Sequence, residues 1–104
     1  MHSSKGQKRY VGIDKDINGG MTDTGKIIRD AWAFGLIEET ETCEGWLSQG
    51  IEDLWGKVQA EWEKYGYRVG QLPPDLQERF LRIQSEAANR ARAAGWDPEL
   101  FDDD

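Results

Sequence analysis

The stretch LSQGIEDLWGKVQAEWEKY, residues 47–65, carries apolar side chains at Leu47, Ile51, Leu54, Trp55, Val58, Trp62 and Tyr65. Steps of three and four residues gather them into one stripe of an α-helix, so this segment is an amphipathic helix with a buried face. Glu52-Asp53 and the pair Glu61, Glu63 flank the stripe, where solvated charges belong. Thr42 or Ser48 is the expected cap of its start. Gly50 and Gly56 weaken it, each by about 1 kcal/mol relative to alanine in a helix interior. Gly66 ends it, with Tyr67 placed to fold back on Trp62.

Working outward, Pro73-Pro74 stop any preceding helix and start another, because proline is tolerated in a first turn. Leu76, Phe80, Ile83, Ala87, Ala91 and Ala94 then recur at helical spacing. Three acid-before-base pairs at i,i+4 (Asp75–Arg79, Glu78–Arg82, Glu86–Arg90) support its solvent face. Gly95 is the expected terminator, and Asp97-Pro98 opens one last turn with Leu100 and Phe101. In the other direction, Ile27, Ile28, Ala31 and Trp32 mark a shorter first helix, capped by Asp23 or Thr24 and closed by Gly35. Arg9–Ile13 is a candidate extended segment for which the sequence offers no strand partner.

The fold expected is all-α: three helices, the two long ones as an antiparallel hairpin with the shorter first helix across it, preceded by a Gly-rich N-terminal loop. The alanine face of the third helix is expected to let the second approach closely. Residues 9–101 form one helical domain, 1–8 a disordered basic arm and 102–104 an acidic tail. Five tryptophans (Trp32, Trp46, Trp55, Trp62, Trp96) supply core area, since each large aromatic side chain buries about 150–250 Å².

Charge narrows the function classes. Twenty acids against thirteen bases give a net charge of −7, which argues against nucleic acid or an anionic membrane as partner. Residues 38–66 alone hold eight acids and two bases. No apolar run approaches the roughly 18 residues that span a bilayer. A single cysteine, Cys43, makes no internal disulfide, and no secretory signal is visible at the N-terminus; a cytoplasmic protein is expected.

Residues 14–26, DKDINGGMTDTGK, are the one stretch with the composition of a ligand loop. Asp14, Asp16 and Asn18 fall on alternate positions, Gly19 on a turn position and Thr22 further on. This spacing resembles the EF-hand calcium loop, which implies weak divalent-ion binding through Asp14, Asp16, Asn18 and Thr22. Gly25 stands where that family places a bidentate glutamate, and no entering helix precedes Asp14. The run Gly20–Lys26 also resembles a phosphate-binding P-loop, which implies an anion at the helix N-terminus. Here Ile27 replaces the metal-holding Ser or Thr, and Asp23 would repel phosphate.

Catalysis is poorly supplied. The sole histidine, His2, lies in the expected arm, so no folded Ser-His-Asp, Cys-His or zinc arrangement is available. Cys43 lies between Glu41 and Glu44, whose charges blunt a thiolate. Three arginines of the third helix (Arg79, Arg82, Arg90) have an acid four residues earlier, leaving only Arg92 unaccounted for. The chain is expected to act by contact and without enzymatic activity or cofactor, as an interaction or regulatory accessory module for another protein or for a second copy of itself. Trp46 is the candidate anchor, beside Glu38, Glu39 and Glu41.

Overall fold

The computed structural model describes residues 8–97; the expected N-terminal arm up to residue 7, the last turn at Leu100 and Phe101, and the acidic tail lie outside them. Three α-helices form the domain: α1 (Asp23–Ala33), α2 (Ser48–Glu63) and α3 (Pro74–Ala93). Short 3-10 turns lie at Ile13–Lys15 and Ile17–Gly20, ahead of α1, and at Val69–Gln71, between α2 and α3. The all-α, three-helix architecture is the one the periodicity indicates.

The shortest helix occupies the centre. Six consecutive residues of α1, from Ile28 to Ala33, are buried, and a helix buried on every side must be surrounded by other elements. Accordingly α1 packs on both α2 and α3. The two long helices meet at Trp62 and Phe80, whose rings stand edge to face with centroids 5.5 Å apart. Phe34, just beyond α1, makes a second edge-to-face contact with Trp62 at 5.1 Å. Ile13, Ile28, Trp32, Leu54, Val58, Leu72 and Ile83 complete the core.

Several terminators work as their residues indicate. Gly35 (φ 72°) lets Leu36 N–H return to the Ala31 carbonyl at 2.9 Å, and Gly66 lets Tyr67 N–H return to Trp62 at 3.1 Å. Pro74 occupies the first turn of α3. The caps differ from expectation. Thr22, not Asp23 or Thr24, caps α1 through its Oγ1 and the Gly25 amide at 3.0 Å. Helix α2 starts after Leu47 without a side-chain cap, so neither Thr42 nor Ser48 serves.

Four further expectations are corrected. Trp55 is 45% exposed and lies outside the core. The buried row of α2 is Leu54, Val58 and Trp62, and Trp55 sits about 100° round the helix from Leu54. The alanine face of α3 receives the Gly-rich loop instead of α2: a Cβ on Gly19 would stand 2.6 Å from Ala91 Cα. The segment at Arg9–Ile13 does have a partner. Arg9 bridges Leu47 antiparallel, while Tyr10 N–H donates to Trp46 O and Gly45 N–H to Tyr10 O, both at 2.8 Å. Finally, the arginines of α3 choose other acceptors. Arg79 Nε donates to the Ala33 carbonyl at the end of α1, and Arg82 pairs with Glu39 at 2.9 Å and Glu86 at 3.3 Å.

Candidate functional site

A buried polar network ties the three helices together, and it determines what the loop can do. Asp30, 1% exposed, accepts from Trp62 Nε1 of α2 at 3.1 Å, from Lys26 Nζ at 2.9 Å and from Gln84 Nε2 of α3 at 3.2 Å. Gln84 Oε1 in turn accepts from Arg29 Nε at 2.9 Å. Arg29 Nη1 reaches the Gly20 carbonyl at 2.9 Å, which fixes the loop to α1. Burial holds the Arg29 guanidinium below its ordinary pKa, partly offset by the charge of Asp30. None of Arg29, Asp30 and Gln84 was singled out by the sequence, because charged and amide residues on a helix read as a solvent face.

The loop itself is built around Asp16. Its Oδ2 accepts from Tyr10 Oη and from Thr22 Oγ1, each at 2.6 Å, and its Oδ1 accepts from the Ile17 amide at 2.8 Å. Asp16 and Thr22 are therefore brought together, as one acceptor and one donor of a local clasp. Burial, with the bond to Asp16 and its charge, pushes the Tyr10 phenol above its ordinary range. Asn18 (φ 55°) and Gly19 (φ 64°) take left-handed conformations, which Asn tolerates and glycine adopts freely. Asp14 is exposed and makes no side-chain hydrogen bond among the described residues. Among those residues no group of three or more His, Cys, Asp or Glu is placed to hold a metal ion. The phosphate-loop pattern is also turned to other uses: Lys26 points to Asp30, Arg29 occupies the Gly20 carbonyl, and Gly25 lies so close that a Cβ there would meet Gly20 O at 2.0 Å.

Trp46 lies half-buried in a groove of about 430 Å³ with Arg9, Tyr10, Val11, Ser48 and Ile51 among its walls. Its ring rests on α2 over Gly50, where a Cβ would come 3.4 Å from Cε3. That contact gives the helix-weakening glycine a packing reason. The 9–11 segment carries the groove's other wall. Its Tyr10 faces Gly45 and Trp46 through the backbone, whereas the Val11 amide and carbonyl have no hydrogen bond among the described residues, and Val11 is 51% exposed.

The acids expected beside Trp46 line other surfaces. Glu39 is paired with Arg82, which holds its carboxyl below the usual range. Glu41 accepts from the Cys43 amide at 3.0 Å, and its own carbonyl accepts from Trp32 Nε1 at 2.9 Å. Glu38 and Glu39 line a separate cavity with Trp32 and Arg79. Lys8, Arg9, Asp16 and Glu52 supply the charges around Trp46 instead. Cys43 is fully buried in the core, and burial, followed by the charge of Glu41, pushes its thiol up to about 11. No helix among the described residues is long and apolar enough to cross a membrane. Compared with known proteins, the chain matches no family model, no curated protein and no solved structure.

Proposed function

We propose that this protein is a non-enzymatic docking module whose Trp46 groove takes an extended segment of a partner protein. The carrying observation is the open backbone edge at Val11 beside that groove. One edge of the 9–11 segment is already paired with residues 45–47. The other offers an unpaired amide and carbonyl at Val11, next to apolar walls from Trp46 and Ile51. An added strand gains affinity from main-chain bonds and specificity from pockets for alternate side chains. A half-buried tryptophan is a favoured anchor, since it offers a large contact area at little entropic cost. Its mixed rim of Lys8, Arg9, Asp16 and Glu52 favours a partner segment that carries both signs of charge at its ends. The free, buried thiol of Cys43 is consistent with work in a reducing compartment such as the cytoplasm.

Selection from a displayed library of random twelve-residue peptides tests this. Selected peptides are expected to alternate apolar and polar residues and to slow hydrogen exchange of the Val11 amide. Their binding should be lost with Trp46→Ala. Peptides that bind elsewhere on the surface, or equally well to Trp46→Ala, would contradict the proposal.

A further inference from the structure

Arg29 and Arg90 face one cavity of about 420 Å³, walled by Ile13, Asp14, Gly19 and Ala87. Neither guanidinium is within salt-bridge distance of a carboxylate among the described residues. For Arg90 this is a departure from its helical context, because Glu86, one turn earlier, pairs with Arg82 instead. For Arg29 it is unusual on energetic grounds. The residue is only 7% exposed, and a buried cation ordinarily has an ionic partner. Its Nε and Nη1 bond to the neutral oxygens of Gln84 and Gly20, with Gln84 interposed between it and Asp30. A guanidinium has five N–H donors, so part of the Arg29 fork is left for a group in the cavity.

We propose that this cavity binds a small oxyanion, phosphate or carboxylate, held between Arg29 and Arg90. Two planar guanidiniums from different helices can take a tetrahedral or planar oxyanion by charge-assisted bonds. The small side chain of Ala87 in the wall leaves room for it. Asp14, at the lip, disfavours polyanions and sets the size of charge admitted. This site is distinct from a helix N-terminal phosphate loop, since the amide of Gly25 at that terminus is already occupied by Thr22. It does not depend on the docking role of Trp46, which lies in another groove.

Inorganic phosphate and succinate, titrated separately at constant ionic strength and followed through the amide signals of the protein, test the site and distinguish its two ligand sources. Saturable shifts at Gly19, Ala87 and Ala94 with either anion, and none with chloride, are expected. Arg90→Gln, whose fold is checked by its melting curve, should weaken binding by at least about tenfold. Asp14→Asn should tighten it several-fold. No saturable shift with either anion, or shifts unaltered in Arg90→Gln, or loss of binding in Asp14→Asn, would overturn the proposal.

Discussion

Trp62 on α2 donates its indole N–H to Asp30 Oδ2 on α1 at 3.1 Å, inside the core. Asp30 also receives Lys26 and Gln84, so one carboxylate satisfies donors from all three helices. Removing it strands the buried Trp62 indole N–H and the half-buried Gln84 amide. Asp30→Ala is expected to cost roughly 2–4 kcal/mol in urea denaturation, and Trp62→Phe, which keeps most of the ring, about 1–2 kcal/mol. Because the two act through one bond, the double variant should lose less than the sum. Additive losses would show that the bond contributes little.

Two helical glycines should respond oppositely to alanine. Gly56 has nothing within 4 Å of an added Cβ, so Gly56→Ala should stabilise α2 by about 0.5–1 kcal/mol through helix propensity. Gly25 has the same propensity argument in α1, but its Cβ would meet Gly20 O at 2.0 Å. Gly25→Ala should therefore destabilise by more than about 2 kcal/mol. Melting temperatures of the two variants check both signs together.

Alkaline pH should unfold the domain through groups whose native pKa is raised. Cys43 titrates at about 11 in place of 9.0, and Tyr10 is raised by burial and by Asp16. A raised native pKa means the folded state holds its proton longer. The associated stability is fully present below the unfolded pKa and falls as pH rises towards the folded one. Stability should accordingly be flat from neutral pH to about pH 9 and decline above it. Cys43→Ser should flatten the part of the decline between about pH 9 and 11. At pH 8 the native thiol should react with iodoacetamide far more slowly than the unfolded chain. Fast native alkylation would contradict the burial of Cys43.

The Asp16 clasp predicts a local effect. Asp16→Asn replaces a charged acceptor of three bonds with a neutral amide, at a cost of about 1–2 kcal/mol. It should lower the Tyr10 phenol pKa, read by ultraviolet titration, because hydrogen-bond and charge contributions from Asp16 raise it. An unmoved tyrosine titration would place the clasp elsewhere.

Periodicity made the elements legible, and local chemistry made most terminators legible. Leu54, Val58 and Trp62 bury as their spacing requires, and Gly35, Gly66, Pro74 and Gly95 act where their backbone preferences put them. The arrangement was harder to read. Arg29 and Asp30 look like the wet side of α1, yet they are its buried centre, because Gln84 and Trp62 lie on segments 55 and 32 residues away. Spacing carries no information about such long-range partners. The same limit hid the pairing of Tyr10, whose partner is the loop at Gly45 and Trp46 with no strand pattern, and with it the open edge at Val11. In the Asp14–Lys26 loop the residue types were suited to a ligand, but Asp16 and Lys26 are committed to Tyr10, Thr22 and Asp30. Only the three-dimensional structure separates a ligand from a clasp there.

The docking account is tested most directly by a photo-reactive benzophenone placed at position 11 and, as a control, at position 81. Val11 and Leu81 are comparably exposed, at 51% and 52%, but only Val11 borders the Trp46 groove. In native cell extract, position 11 should cross-link to a discrete partner through a short extended segment, and Trp46→Ala should abolish the product. Equal cross-linking from both positions, or a product at position 11 that survives Trp46→Ala, would contradict the account.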